Sequence, residues 1–183
     1  MLNRSDCRLR PMIEADADKV FSWRNQERIR ANMYTDHVIT GDEHAIWVQR
    51  ALADATARYL IFEWQGQPAG FVSITAIDPR QGRAVWAFYL GETTLPRGAG
   101  LAMEYLALEF AFEVLAIRKL MCEVFAFNAP VIKLHGRFGF QQEALYKAHA
   151  RKNDDFVDVV GLALFCADWM ENKAGLFKLG FTS

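Results

Sequence analysis

The sequence lacks the features that mark secreted, membrane-spanning and nucleic-acid-binding proteins. Its 21 basic and 22 acidic side chains give a formal net charge of -1, so no electrostatic footprint for nucleic acid or an anionic membrane is present. Cys7, Cys122 and Cys166 are odd in number and widely spaced, which argues against a disulfide framework and a cysteine-based zinc site. The N-terminus has no apolar signal-peptide core, and no window reaches ~18 uninterrupted apolar residues. These absences predict a cytoplasmic protein with no metal and no nucleic-acid or membrane partner.

What the sequence does contain is enough apolar material for one ordinary domain. Of its 183 residues, 52% are hydrophobic and 13% are aromatic, so a substantial core can form. No internal repeat, low-complexity tract or linker-like run divides the chain. We therefore expect one domain over residues 1–183, with a core at about 7–170 and a C-terminal tail at 171–183. The tail could pack on the domain, bind a partner or be mobile, and the oligomeric state stays open, a homo-oligomer included.

Hydrophobic periodicity changes repeatedly between the helical and the strand period, which predicts an α/β (α+β) fold. Asp16 can cap a first helix, and the capping box of Thr40 and Glu43 predicts a second helix that begins at about Gly41. Three strands follow from Arg58, and the next segment, LAMEYLALEFAFEVL, reads as a helix that is apolar on more than one face. The predicted element order is β-α-α-β-β-β-α-β-α-β-β, with about seven strands and about four helices.

The loop PRGAGLA at residues 96–102 precedes that apolar helix. Gly98 and Gly100 allow a tight turn and a close backbone approach, and the helix N-terminus behind them attracts anions such as a pyrophosphate. A strand-to-helix turn that needs glycine for its geometry alone is the simpler alternative and stays open. The loop is not a P-loop, because no Gly-Lys-Ser/Thr follows. A dinucleotide-binding fingerprint is also excluded, since the preceding strands read as antiparallel.

Two motifs resemble those of the GCN5-related N-acetyltransferases (GNAT superfamily). The first matches the family's R/Q-x-x-G-x-G/A loop and consists of Arg97, Gly98, Ala99, Gly100, Leu101 and Ala102. The second, residues 134–140, is similar to the family's L-Y-x-x-x-G-F segment, with His135 where tyrosine usually stands. The resemblance covers nearly the whole chain and implies a mixed, mostly antiparallel sheet. It also implies acetyl-CoA as cosubstrate, bound through its pyrophosphate by the backbone of residues 97–102 and contacted by Asn128.

The segment at residues 21–44, FSWRNQERIRANMYTDHVITGDEH, resembles one branch of that superfamily. Its WRN, MYTDHVI and EH motifs are similar to those of the N-acetyltransferases of the pseudaminic acid pathway (PseH type), as is NDDFVDVVGLAL near the C-terminus. Those enzymes acetylate the 4-amino group of UDP-4-amino-4,6-dideoxy-N-acetyl-β-L-altrosamine, a precursor of a sugar on bacterial flagellin and surface glycans. The resemblance implies a UDP-amino sugar acceptor, with its phosphates at Arg24 and His44 and its base enclosed by Met33, Tyr34 and Trp47.

The residue types in this segment suit that role chemically. A guanidinium pairs with phosphate oxygens bidentately, an imidazole donates to the same anion, and flat rings with a polarizable methionine cover a base. Other interpretations remain open, because Trp47 can equally belong to the core and Arg24 can form a surface ion pair. His37 is expected at the surface.

Glu123 is the candidate base, because it stands alone in the apolar strand LMCEVFAF, where burial would strengthen it as a proton acceptor. A core carboxylate hydrogen-bonded to a neighbouring element is the alternative. The resemblance implies a base that acts through water with help from Ser73, a substrate-site Tyr89, and splayed strands whose backbone N–H polarises the carbonyl. Cys122 points to the opposite face from Glu123 and is expected to pack.

His135 is the candidate acid. It falls in the last turn of its helix, where the dipole favours an imidazolium that could protonate the departing thiolate. A histidine that merely caps the helix or lines the cofactor channel is the alternative. At the level of function, two further hypotheses stay open: a protein N-terminal or lysine acetyltransferase of the ribosomal-protein type, which residues 8–17 resemble, and a CoA-binding domain without turnover.

Overall fold

The structure, a computed structural model, describes residues 1–182. Within that range, the seven strands are β1 (Cys7–Pro11), β2 (Arg58–Trp64), β3 (Gln67–Asp78), β4 (Arg83–Leu90), β5 (Lys119–Phe125), β6 (Gln141–Lys152) and β7 (Asp155–Phe165). The six α-helices of the same range are α1 (Ala17–Arg24), α2 (Glu27–Arg30), α3 (Gly41–Ala53), α4 (Ala99–Glu109), α5 (Ala129–Arg137) and α6 (Cys166–Gly180).

All seven strands of the described chain form one sheet in the order β1-β2-β3-β4-β5-β7-β6. Neighbouring strands are antiparallel except β4 and β5, which are parallel. The predicted mixed, mostly antiparallel sheet of about seven strands is therefore confirmed. The helices exceed the expected number because the segment between α1 and α3 forms the short helix α2, and because the C-terminal residues form α6.

Local sequence signals explain most element boundaries. Helix α3 begins at Gly41 as predicted: the Thr40 hydroxyl accepts from the Glu43 N–H, and the Glu43 carboxylate accepts from the Thr40 N–H at 2.7 Å. Asp16 does precede α1, but its side chain makes no cap hydrogen bond to that helix. Instead it accepts from the Ile13 N–H and from the Arg10 guanidinium, whose charge makes it a strong donor.

Helix α4 lies in the centre of the core between the sheet and α6. Ala102, Met103 and Leu108 have no exposed surface, in agreement with the predicted helix that is apolar on more than one face. Glu104 is also fully buried, although its side chain is acidic and its neighbours on the helix are apolar. After Glu109 the helix continues as a π-helical turn over Phe110–Val114.

Strands β4 and β5 pair over a short stretch and then diverge. Their register runs from Arg83 with Lys119 to Val85 with Met121, and within residues 1–182 no later residue of β4 pairs with β5. The carboxyl-terminal half of β4, residues 86–90, therefore leaves the edge that faces β5 open. The splayed strands implied by the family resemblance are present.

Most of the expected C-terminal tail belongs to helix α6. Trp169 is fully buried, Leu176 and Phe181 lie in the main core cluster, and a bridge joins Phe181 to Leu2. Residues 171–182 therefore pack on the domain, while position 183 lies outside the described residues. Among the helices of residues 1–182, none combines the length and apolarity needed to span a membrane.

Candidate active site

Two cavities lie on either side of the open half of β4. Cavity A has a volume of about 380 Å³ and is lined by residues of α1, α3 and strands β2 to β4, among them Arg24, Met33, His44, Trp47, Tyr59, Phe71, Ser73 and Tyr89. Cavity B has a volume of about 290 Å³ and lies in the gap between β4 and β5, lined among others by Arg28, Met33, Trp86, Gly100, Glu123, Asn128 and His135. Residues 87–89 of β4 line both cavities, so a group bound in one can meet a group bound in the other there.

Arg24 contributes a desolvated cation to cavity A. Its Nη2 donates to the Thr35 carbonyl at 2.6 Å, whereas Nη1 is enclosed and has no hydrogen-bond partner within residues 1–182. Burial lowers the pKa of this guanidinium below its usual value, and nearby Tyr89 only partly opposes that effect. Because Arg24 lines cavity A, an anion bound there would offset the desolvation of its guanidinium.

His44 and Trp47 share one face of α3, as their spacing predicts, and their rings stack with centroids 5.4 Å apart. Nε2 of His44 donates to the Ala17 carbonyl at 2.8 Å, and the side chain is largely buried. Because Nε2 is bound to the protein, only Nδ1 remains for a ligand. The expected direct donation from His44 to a phosphate therefore requires a protonated ring.

Aromatic rings form the floor of cavity A. Trp47 contacts Tyr59 and Phe71, and Phe71 stacks on Tyr89 with a centroid distance of 5.3 Å. Burial raises the pKa of the Tyr89 hydroxyl, so Tyr89 stays neutral and can act as a hydrogen-bond donor. Ser73 lies on the same floor, and its hydroxyl points to the Ala87 carbonyl at 3.5 Å.

Tyr34 departs from its expected position. Instead of lining cavity A with Met33, its hydroxyl donates to Oε2 of Glu123 at 2.5 Å, and its ring packs edge-on against Phe125. Met33 and Thr35, its neighbours in the chain, do line cavity A, so it is the Tyr34 side chain that points away from the cavity. The Met33 carbonyl accepts from the Lys152 ammonium at 2.8 Å. Burial and the neighbouring carboxylate raise the pKa of Tyr34, which keeps it a donor.

Glu123 lines cavity B, but its environment differs from the expected one. Its side chain is exposed, not desolvated, because the divergence of β4 leaves this face of β5 uncovered. The expectation that an apolar strand buries the carboxylate is wrong. Cys122 points the other way as predicted, into the core, and burial raises the pKa of its thiol, so it packs as a neutral group.

The glycine loop lies at the other end of cavity B. Gly98 adopts a left-handed conformation with φ of 100°, and Gly100 lines the cavity in the first turn of α4. The Ala99 N–H donates to the Pro96 carbonyl, while within residues 1–182 no backbone carbonyl accepts from the N–H groups of Gly100 and Leu101. Two free N–H groups at a helix N-terminus fit a phosphate.

The remaining residues of the predicted cofactor set occupy different environments. Ala99 and Ala102 are buried and serve packing, Arg97 is exposed, and Asn128 lines cavity B at the start of α5. The structure thus joins Gly100 and Asn128 to one cavity. Arg97 is not among the residues that line cavity B.

His135 lies in the last turn of α5, as predicted, and lines cavity B. It is almost fully buried, and its Nδ1 is 2.8 Å from Oε1 of Glu104 on α4. Sequence reasoning missed Glu104, although a lone carboxylate within an otherwise apolar helix was the available signal. It also missed the contact from Tyr34 to Glu123, which joins residues 89 positions apart and has no local signal.

Comparison with known proteins identifies the family of this chain. The family profile described as "Acetyltransferase (GNAT) domain" matches residues 6–141. The SPbeta prophage-derived uncharacterized N-acetyltransferase YokL of Bacillus subtilis is 31% identical over 99 residues, which are 53% of this chain and 55% of YokL. The matched chain therefore spans about half the length of this curated relative.

Solved structures share the fold over nearly the whole chain. The spermidine N-acetyltransferase of Vibrio cholerae in complex with CoA and spermine has a TM-score of 0.84 at 18% identity and covers 91% of this chain and 99% of its own. A dodecameric structure of the Vibrio cholerae spermidine N-acetyltransferase in an intermediate state has a TM-score of 0.78 at 16% identity, with 92% and 98% covered. At these identities the similarity establishes the fold.

Proposed function

The chain belongs to the acetyltransferase (GNAT) domain family. From the lining of cavity A and the resemblance of residues 21–44, we propose that it acetylates the 4-amino group of a UDP-linked 4-amino-4,6-dideoxy sugar. The acetyl donor is acetyl-CoA, and transfer is direct within a ternary complex. The donor would occupy cavity B, with its pyrophosphate at the free N–H groups of Gly100 and Leu101. The acceptor would occupy cavity A.

The observation that carries the acceptor proposal is the partly desolvated guanidinium of Arg24 in the lining of cavity A. A desolvated guanidinium is the group best suited to a phosphate or diphosphate. The rings of Trp47, Tyr59 and Phe71 beside it suit a flat base, and Met33 can adapt to its edge. A nucleotide-linked amine combines these two features in one ligand.

The reaction would occur at residues 87–89, where the cavities meet. The open edge of β4 offers backbone N–H groups to the thioester carbonyl. Glu123 would accept the amine proton, directly or through water, while Tyr34 holds one carboxylate oxygen in place and leaves the other free. Because Glu123 is exposed, it can pass that proton on to solvent.

A polyamine acceptor, which the spermidine enzymes with this fold would suggest, fits cavity A poorly. Glu43 is the one carboxylate that lines the cavity within the described chain, and it already binds the Thr40 N–H and His37. An ammonium group ~4 Å from Arg24 would be repelled by roughly 4 kcal/mol at an effective dielectric constant of 20. The wall of cavity A therefore favours an acceptor that brings negative charge.

Thiol release separates the candidate functions. Purified protein with acetyl-CoA would be assayed with a UDP-4-amino-4,6-dideoxy sugar, with N-terminal peptides of ribosomal proteins and with spermidine. UDP-N-acetylglucosamine, which has no free amine, is the control for hydrolysis. We expect turnover with the amino sugar. Turnover with the peptides alone would favour the protein acetyltransferase, and acetyl-CoA binding without any turnover would indicate a binding domain.

A further inference from the structure

A carboxylate and an imidazole form a sealed pair behind cavity B. Glu104 is fully buried and His135 has 2% of its surface exposed, and the Oε1 to Nδ1 distance is 2.8 Å. The rings of Trp86, Phe88 and Phe140 surround the imidazole, with centroids 5.0 to 5.6 Å away. Water is thereby excluded from the contact between the two side chains.

The pair is not built as a stabilising ion pair. Oε2 of Glu104 is enclosed and has no hydrogen-bond partner among residues 1–182. A buried carboxylate that only stabilises a fold would be expected to satisfy both of its oxygens, since an unsatisfied one is costly. A buried carboxylate with only one hydrogen-bonded oxygen therefore points to a functional role for its one partner, His135.

The two nitrogens of His135 have different surroundings. Nδ1 is hydrogen-bonded to Glu104. Nε2 makes no hydrogen bond within residues 1–182, yet it is not enclosed by protein, so part of its surface is accessible. Nε2 is therefore the nitrogen that opens to cavity B, which His135 lines. A partner on one ring nitrogen determines what the other can do.

Burial determines how many protons the pair holds. Desolvation raises the pKa of Glu104, while the hydrogen bond from His135 acts against it. The neutral pair carries two protons, one between Oε1 and Nδ1 and one on Nε2. Removal of the Nε2 proton would leave a net negative charge in an apolar pocket, so burial favours Nε2 as a donor.

Among residues 1–182, the groups that face the pair from β4 and β5 bring no positive charge to compensate for such a loss. Cys122 faces it from β5, and burial raises the pKa of its thiol, so it stays neutral. Trp86 and Phe88 face the imidazole from β4, and neither side chain titrates. Glu123 lines the same cavity and is an acidic residue, so it adds no positive charge there.

We infer that Glu104 is a positioning residue that keeps Nε2 of His135 protonated and directed into cavity B, where this N–H protonates the departing thiolate. As the amine nitrogen bonds to the carbonyl carbon, the carbon–sulfur bond breaks and its electron pair goes to sulfur. Sulfur takes the Nε2 proton, the amine proton leaves to Glu123, and solvent restores both groups. The inference rests on the proposed transfer reaction but not on the identity of the acceptor.

Glu104→Gln tests the inference, because glutamine keeps the shape and an acceptor oxygen for Nδ1 but removes the charge. We expect kcat to fall about ten- to a hundredfold near neutral pH, the usual lower range for acid catalysis, with KM for acetyl-CoA changed less than about twofold. The matched control is Glu63→Gln, a buried glutamate bound to Arg8 and Arg10 away from both cavities. This variant should lose stability but keep the pH profile of kcat.

The readout that needs no acceptor is ¹⁵N NMR of His135 in the protein alone, assigned with His135→Tyr. We expect Nε2 to stay protonated in the wild type at a pH where Glu104→Gln has lost that proton. Glu104→Asp, which keeps the charge at a longer distance, should give an intermediate result and replaces Gln if that variant does not fold. In the His135→Tyr background, Glu104→Gln should reduce kcat by less than about threefold.

Equal Nε2 titration in the wild type and the Glu104 variants would overturn the inference. So would an equal loss of kcat from Glu104→Gln in the wild-type and His135→Tyr backgrounds, since that indicates a purely structural carboxylate. Absence of transfer to the amino sugar, alongside the expected NMR difference, would count against the acceptor and leave the role of Glu104 intact.

Discussion

Gly100 provides the sharpest test of the cofactor site, because the fold can accept a side chain there and the ligand cannot. A Cβ atom added at Gly100 would meet only Leu90 Cδ1, at 3.9 Å, which is an ordinary contact. The residue lies in the first turn of α4 and lines cavity B. Gly100→Glu should therefore place a carboxylate where the pyrophosphate of acetyl-CoA is expected.

The expected loss of affinity follows from two terms. The carboxylate blocks the N–H groups of Gly100 and Leu101, and each hydrogen bond to a charged group contributes roughly 1.5 to 3 kcal/mol. Repulsion between charges ~5 Å apart adds about 3 kcal/mol at an effective dielectric constant of 20. Together these terms exceed ~4 kcal/mol, which corresponds to at least a ~10³-fold higher Kd. The fold should be stabilised slightly, since glycine is a poor helix former.

Calorimetric titration with acetyl-CoA measures the affinity, and thermal unfolding reports on the fold. The matched control is Gly175→Glu, the same substitution at an exposed position of α6 with open space around its Cβ and no part in either cavity. Wild-type affinity in Gly100→Glu would refute the placement of the pyrophosphate. An equal loss in both variants would show that net charge is responsible and not position.

Further predictions address the acceptor wall, the base, the acid and the pH dependence of stability. Arg24→Lys keeps the charge but loses the planar guanidinium, so KM for the acceptor should rise about tenfold or more while KM for acetyl-CoA stays within twofold. The control is Arg50→Lys on the exposed face of α3. A joint rise of both Michaelis constants would show that Arg24 has a structural role. Glu123→Gln should lower kcat by ~10²-fold near neutral pH with partial recovery at higher pH, and wild-type turnover at every pH would remove Glu123 from the mechanism. His135→Phe should lose about ten- to a hundredfold in kcat while His135→Tyr keeps most of it, whereas an unchanged pH profile in the Phe variant would leave thiolate protonation to solvent. Burial raises the pKa of Asp16, but the hydrogen bonds from Arg10 and from a backbone N–H more than offset this effect, so the pKa is lowered. The stabilisation from Asp16 is therefore present above the unfolded pKa of ~3.9 and is lost as the pH falls below it. Urea unfolding of Asp16→Asn should show a lower free energy of unfolding at pH 7 and a smaller loss of stability in acid.

The parts of the fold that depend on neighbours in sequence could be predicted from the sequence. Thr40 and Glu43 satisfy each other's backbone, so the start of α3 needs nothing from the rest of the chain. Helix α6 was missed as a helix because its buried side chains, Trp169 and Leu176, are spread among polar residues. Only packing against α4 reveals that stripe.

The site was harder to predict because its contacts join distant segments. The apolar neighbours of Glu123 suggested a buried carboxylate, but the exposure of a strand residue depends on whether the next strand covers it. Strand β4 stops pairing with β5 after Val85, and no local pattern shows this. For the same reason Tyr34 could be assigned to a ligand wall, although its hydroxyl lies on Glu123.

The divergence of β4 and β5 gives the base and the acid opposite surroundings in one cavity. Glu123 lies on the uncovered face of β5, where it can exchange protons with solvent. His135 is buried, so it can regain its proton only at Nε2, from cavity B. A rise in pH therefore deprotonates the acceptor amine, which lowers the demand on Glu123 as a base. The same rise removes the Nε2 proton that His135 must deliver to the thiolate. The two limbs of a bell-shaped kcat profile should then respond to different residues. Glu123→Gln should alter the acid limb alone, and Glu104→Gln should alter the alkaline limb alone, because the two carboxylates act on opposite partners of the same transfer.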